Sequence, residues 1–393
     1  MTSPMTIADA FIVNPKVAIP AGVVTPFVTM GDLEPFRREV QSNSTKAFSG
    51  GMKFLPGDVL MARITPCLEN GKTSIYMSDD ELPAAGSTEF IVIRGREGLS
   101  DTRFAYYLFT SPDMREFAIS QMNGSSGRQR VQTSAFCNHI VELPALPVQR
   151  EIAATLGALD DKIESNRLAV ALILDLCAAR FFRWKSRTVP VAESTFGGFA
   201  DVYGGSTPKT DVPEYWGGSY LWATPSDVTA LTEPYLLSTS RTITQAGLAS
   251  GATALHPPGT IFMTSRATIG VFAVNQSPCA VNQGFIAVRP RRDSDRWFLF
   301  EEMRSRVGEM LEHSNGSTFQ ELSRGNFKGL PLDIPGDDDL AKLDQQLALL
   351  HAKASQLARE NDRVRSLRDA LMPELLAGRI RVSGAQNAVG VAS

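Results

Sequence analysis

Residues 63–72 read RITPCLENGK and place Arg63, Asn70 and Lys72 just after a strand-like run. Residues 123–130, NGSSGRQR, add Arg128, Gln129 and Arg130 on a Gly/Ser-rich loop. Arg and Lys can pair with guanine O6 and N7, and Asn and Gln with adenine N6 and N7, so this set of side chains suits reading a DNA major groove. Further along, Ser265 with Arg266, Asn282 with Gln283, and residues 315–320 stand at matching places. Any one such loop could be an ordinary solvated turn. Their recurrence in two halves of one chain favours a shared binding role.

Catalytic constellations do not assemble. The GSTPKT run at 205–210 has Pro208 where a phosphate-binding loop needs Gly before Lys. Ser206 and Lys209 are formally S-x-x-K but have no supporting second motif. Asn14-Pro15-Lys16 lacks the second proline and aromatic of an adenine-methyltransferase motif. His139, His256, His313 and His351 are isolated from one another and from acidic pairs. Cys67, Cys137, Cys177 and Cys279 lie too far apart for a CxxC pair, which argues against a zinc site or a disulfide framework.

The elements that must position these loops repeat. PGDVLM at 56–61 matches PGTIFM at 258–263, EFIVIR at 89–94 matches GFIAVR at 284–289, and NGSSGR at 123–128 matches NGSTFQ at 315–320. The offset falls from about 202 to about 191, drifting where loops absorb it. Between and after the two blocks run helical patterns with a coiled-coil seam. In the first, Ile152, Leu156, Leu159, Ile163, Val170, Ile173 and Cys177 alternate by four and three, with Asn166 in the gap. In the second, Leu340, Leu343, Leu347, Leu350, Ala354, Leu357, Asn361 and Val364 do the same. Helices of this length reach about 55–60 Å, with Pro147 suited to the first turn of one and Pro373 and Gly378 expected to end the other. The second block opens with YGGSTPKTDVPEYW at 203–216, which has no counterpart in the first. The reading is α+β: two domains in a pseudo-twofold repeat separated by two long antiparallel coiled-coil helices. The boundaries are 1–146, helix 147–186, 187–336, helix 337–380 and a tail at 381–393.

With 43% hydrophobic and 21% charged residues the chain is ordinary globular material. Its first 24 residues lack a basic n-region, and Asn14, Pro15 and Lys16 break their apolar run, so a signal peptide is not expected. No apolar run is long enough for a membrane span. A cytoplasmic protein with no membrane partner is the expectation. A net charge of −3 implies that binding to phosphates would use local clusters or charge borrowed from partners.

The run LPALPVQREIAATLGALDDKI at 143–163 resembles the proline-led Q-x-x-I-A-x-x-L-x-x-L-D-x-x-I segment of type I restriction-modification specificity subunits. GDVLMARITPCLENGK, STEFIVIR, GSSGRQR, YGGSTPKT…YWGG and the late LMPELLAGRI support it. The resemblance implies two target-recognition domains, each reading half of a bipartite, asymmetric site on double-stranded DNA, with the helices docking two methyltransferase subunits and setting the spacer. Restriction/translocase subunits are further candidate partners. It implies a non-catalytic chain without cofactors of its own, S-adenosylmethionine, ATP and Mg being held by partner subunits. The DNA contacts it implies are Arg63, Asn70, Lys72, Arg128, Gln129 and Arg130 in the first domain, and Thr207, Lys209, Arg266, Gln283, Ser317 and Gln320 in the second. For subunit docking and helix pairing it implies Gln149, Ile152, Leu156, Leu159, Ile163, Leu343, Leu347, Leu350 and Leu357. The second helix departs from the pattern, with Leu340 in place of Gln149 and His351 in place of Asp160. The alternative reading is a coiled-coil adaptor whose globular domains bind proteins; an enzyme in its own right ranks last.

Overall fold

The apolar runs VLMA and FIVIR are too short for helices and rich in β-branched residues, which favours buried strands. In the computed structural model, which describes residues 2–125, 127–251, 254–315 and 320–382, they form Val59–Ala62 and Phe90–Gly95 and pair antiparallel, Ile91 opposite Met61. They are the inner strands of a five-stranded sheet ordered Phe11–Val13, Phe90–Gly95, Val59–Ala62, Thr73–Tyr76, Glu39–Val40, all neighbours antiparallel except the last pair. A second sheet of Thr45–Ala47, Val24–Val28, Ala84–Gly86 and Met52–Phe54 closes over one face, and Phe54, Leu60, Tyr76 and Phe90 fill the space beneath it. The other face carries Thr102–Thr110 and Pro112–Ser120. The run FAYYLFTSPDMREFAIS reads as one helix, but two form. Pro112 has no N–H and restricts Ser111 to an extended conformation (ψ 148°), and Ser111 then caps the second helix.

The second unit repeats this sheet strand for strand: Ala200–Tyr203, Phe285–Pro290, Ile261–Thr264, Phe272–Asn275 and Tyr235–Leu236, with the same parallel last pair. Local hydrogen bonds repeat as well. Asp32 accepts from the amide and hydroxyl of Thr29, as Asp227 does from those of Thr224. The second sheets differ. The one here has three strands, Arg241–Ile243, Trp216–Ala223 and Cys279–Val281, and the fourth strand is reduced to a single bridge between His256 and Cys279.

Two 40-residue helices, Leu146–Lys185 and Asp337–Leu376, complete an α+β fold built as a repeat, and they pack together, Asp160 meeting Arg368 and Asn166 meeting Glu360. The compact units divide each helix internally. One unit comprises Met1–Ile163 with Val364–Ser393, the other Glu164–Arg363. The seam residues are buried, but they are domain core as much as coiled coil. Ile152, Leu156 and Leu159 lie with Phe104, Tyr107 and Leu371, while Leu343, Leu347 and Leu357 lie with Val170, Trp297 and Phe300. At about 1.5–3 kcal/mol for each fully buried side chain, these contacts tie each helix half to its own α/β block. Ile163 and Leu350 are half-buried. Asn166 donates to Glu360 at 3.0 Å. Pro373 does not end the second helix but stands inside its last turn, where the lost N–H costs one bond; the end comes at Gly378, whose φ is +66°.

Candidate nucleic-acid interface

Strand Val59–Ala62 delivers the chain into 63–72, and the loop after Pro112–Ser120 returns it through 123–131. The fold joins these two loops edge to edge. Thr65 donates its amide to the Gln129 carbonyl at 3.0 Å, Val131 donates to that of Arg63 at 2.8 Å, and Ile64 bridges Arg130. In the second unit Ala267 donates to the Gln320 carbonyl at 3.1 Å, Leu322 to that of Ser265 at 3.0 Å, and Arg266 bridges Glu321. The same backbone clasp is built twice from different side chains.

The side chains proposed from sequence divide into anchored and free. The Arg130 guanidinium is held in a fork by Glu89, with contacts of 2.8–3.0 Å, and this holds the Glu89 carboxyl below its ordinary pKa. Arg266 is held by Glu321 at 2.9 Å. These two arginines therefore fasten their loops. Arg63 donates to the Val131 carbonyl at 3.1 Å, and Lys72 to that of Met30 at 2.9 Å. Asn70 and Arg128 are exposed, Gln129 is half-buried, and Arg128 carries its charge into solvent. In the second unit Thr207 donates to Gln283 Oε1 at 2.6 Å, and Lys209 and Gln320 are exposed. Ser317 lies outside the described residues.

Glu89 and Glu321 were not singled out from sequence. Glu89 opens EFIVIR, and the informative feature was an acid at the strand mouth facing an arginine loop. Gln149 is 0% exposed and wholly used inside its unit: its amide donates to the Leu99 and Pro144 carbonyls at 2.9 and 2.8 Å and accepts from the Asp101 amide at 2.9 Å. It locks the start of the long helix to the cap of Thr102–Thr110, with its side chain turned inward. Exposed apolar side chains on the first long helix are Val148, Leu168, Leu172, Leu176 and Phe182. Among the described residues no group of His, Cys, Asp and Glu could hold a metal ion, and no helix is long and apolar enough to cross a membrane.

A family model described as the type I restriction modification DNA specificity domain matches this chain twice, at residues 11–171 and 189–350. The type I restriction enzyme MjaIX specificity subunit of Methanocaldococcus jannaschii is 32% identical over 164 residues, 41% of this chain and 38% of that protein. The EcoAI specificity subunit of Escherichia coli is 33% identical over 122 residues, 30% of this chain and 21% of that protein. The matched stretch is thus well under half the length of each of these relatives. The crystal structure of a type I restriction-modification S subunit from M. genitalium aligns over 95% of this chain and 96% of its own, with 17% identity and a TM-score of 0.56, a likeness of fold.

Proposed function

Because the chain belongs to the type I restriction modification DNA specificity family, both of its halves matching that domain, we propose that it is the sequence-reading subunit of a methylating or restricting complex. Each unit reads one half of a bipartite DNA site through its clasped loop pair. The observation that carries this reading is the duplicated clasp, Thr65 on Gln129 and Ala267 on Gln320. It presents Asn70 and Arg128 in one unit and Gln320 in the other beside strand ends, while Lys209 and Gln283 are exposed on other loops of the second unit, and such side chains suit base-edge and phosphate contacts.

The charge around the clasps is modest, since Glu89 and Glu321 offset Arg130 and Arg266, and the whole chain carries −3. Phosphate neutralisation, which supplies most sequence-independent affinity, therefore falls to partner subunits. We assign methyl transfer and any cleavage to those partners, together with S-adenosylmethionine, ATP and Mg, and place the complex in the cytoplasm. The exposed apolar side chains of the first long helix suit docking of a methyltransferase subunit.

The test is a domain exchange. Residues 187–336 are replaced by the corresponding block of another such subunit, the complex is assembled with methyltransferase subunits, and the methylated motif is read by sequencing. One half of the motif is expected to change. A change in both halves, or in neither, would overturn the reading. The isolated chain is expected to bind DNA weakly and with little sequence preference; full specific affinity without partners at physiological salt contradicts the division of labour.

A further inference from the structure

The second unit contains a device absent from the first. Residues 204–211 form a loop that is half-buried at 204–206, buried at Pro208 and exposed at Thr207 and Lys209, and it is held from below at four points. Gly205 sits so close to the end of Cys279–Val281 that a Cβ there would collide with the Val281 and Asn282 carbonyl oxygens. The Ser206 amide donates to the Val281 carbonyl at 3.1 Å. Two indoles then take hold of the loop's carbonyls: Trp222 Nε1 donates to Ser206 O at 3.2 Å and Trp216 Nε1 to Lys209 O at 3.1 Å. The indoles support each other edge to face at 5.0 Å, and the Arg241 guanidinium lies 3.4 Å over the Trp216 ring. A tryptophan N–H is donor only and has one direction, so two of them fix two peptide planes. The backbone is bound while the side chains of Thr207 and Lys209 face solvent.

We propose that Trp216 and Trp222 are positioning residues that hold residues 204–211 as the rigid reading loop of the second unit, with Lys209 touching phosphate and the Thr207–Gln283 pair touching a base edge. The inference rests on the DNA-reading function proposed above and says how one half-site is read. Thr207 takes one of the two lone pairs of Gln283 Oε1 and leaves both amide hydrogens available. Gln283 is then biased toward donating to a base-edge acceptor such as guanine O6 or N7 or thymine O4, because the two-bond pairing with adenine would have to share its oxygen with Thr207. Preorganisation of this kind places a contact without ordering cost on binding.

The experiment uses the full chain assembled with methyltransferase subunits and a DNA library randomised in both half-sites. Trp216→Phe keeps an aromatic ring beside Arg241 and removes the N–H together with the five-membered ring that carries it. It is expected to reduce discrimination about 2–10-fold, the value of one hydrogen bond, in the half-site that changes on exchange of 187–336, and to leave the other half intact. Amide exchange within 204–211 is expected to rise in the same variant with no change in melting temperature. Thr207→Val is expected to relax preference at one base position, and Lys209→Ala to weaken binding evenly across sequences and lower the salt slope by about one. If the wild-type complex selects a motif and Trp216→Phe leaves both halves unchanged, or weakens both equally, the inference fails alone. A wild-type complex that selects no motif overturns the function and the inference together; the loop's exchange rate then reports only a structural clamp.

Discussion

Under the junction with the long helices the two units solve one packing problem with different chemistry. In the first, Tyr107 donates to Asp160 Oδ2 at 2.6 Å while Asp160 Oδ1 accepts from Arg368 at 2.7 Å. By the repeat register, Tyr107, Asp160 and Arg368 correspond to Glu301, His351 and Cys177. In the second unit His351 lies flat on Trp297 at 3.7 Å, its Nδ1 2.9 Å from the Tyr235 hydroxyl and its Nε2 3.6 Å from Glu301. A second pair of sites shows the same divergence. Asp58 takes Arg94 in a fork at 2.6 and 2.7 Å and also accepts from the Leu55 amide. The counterpart of Leu55 is Pro257, which has no N–H to give, and the counterpart of Asp58 is Thr260, whose hydroxyl donates to the Pro257 carbonyl instead. Arg289 is left facing the Tyr203 ring with its Nε unpartnered, beside His256, which is 0% exposed and has neither ring nitrogen hydrogen-bonded. The position of His256 is filled by Phe54 in the first unit. A duplicated backbone tolerates different polar interiors so long as each is settled locally, and the second unit settles its own less completely.

The largest effect expected from breaking this contrast comes from Asp160→Ala, which takes the acceptor from a buried phenol and one of two carboxylates from the Arg368 guanidinium, leaving it Asp369. Loss of one partner of a buried ion pair costs about 3–5 kcal/mol. Denaturant unfolding with exchange resolved by unit is expected to show a loss toward the lower end of that range in the first unit only; a cost under about 1 kcal/mol would show that Asp369 alone suffices for Arg368.

Acid sharpens the contrast from the other side. Burial first, and Arg289 second, lower the His256 pKa to about 4 from an ordinary 6.5, and burial also lowers that of His351 against the pull of Glu301. A lowered folded-state histidine pKa means that the unfolded chain binds more protons, so the contribution is whole above pH 6.5 and is lost as pH falls toward 4. For His256 this amounts to about 3 kcal/mol at most. Asp344 in the same unit works the other way: burial raises its carboxyl to about 6, so it adds stability as pH falls through that value and offsets part of the His256 loss. His256→Phe, which copies Phe54, is expected to make the second unit relatively more stable in acid than the wild type, with the Asp344 gain and a remainder from His351 left in place; an unchanged pH dependence would acquit His256.

The smallest effect tests the Pro257 argument. Thr260→Asp alone gives Arg289 an acid but forfeits the bond to the Pro257 carbonyl and is expected to be nearly neutral. Adding Pro257→Leu restores the missing amide and is expected to stabilise the second unit by about 1 kcal/mol, measured by thermal melting. Equal effects of the single and double variants would sink the explanation.

Much of the fold was legible because its causes are local. Short β-branched runs bounded by Pro-Gly turns make strands, and a three-four apolar alternation makes a long helix wherever it occurs. The loops at 63–72 and 123–130 could be located for the same reason, lying at strand and helix ends. Which of their side chains are free could not be read, because Arg130 is claimed by Glu89, 41 residues away, and Arg266 by Glu321, 55 away. The seam pattern misled in one respect. Apolar spacing reports that a face is buried and not what buries it, and here domain helices share the task with the partner helix.

By itself, then, the sequence determined the twofold repeat, the succession of matching strand runs along each copy, the two helices and the places where binding loops emerge, since hydrophobic period and turn chemistry act over a few residues. Tertiary structure alone decided that each helix is divided between the units, that Gln149 is an internal lock, that two arginines fasten loops, and that two indoles hold residues 204–211. Those outcomes depend on hydrogen bonds and ion pairs between residues far apart in the chain, whose partners only the folded backbone brings together.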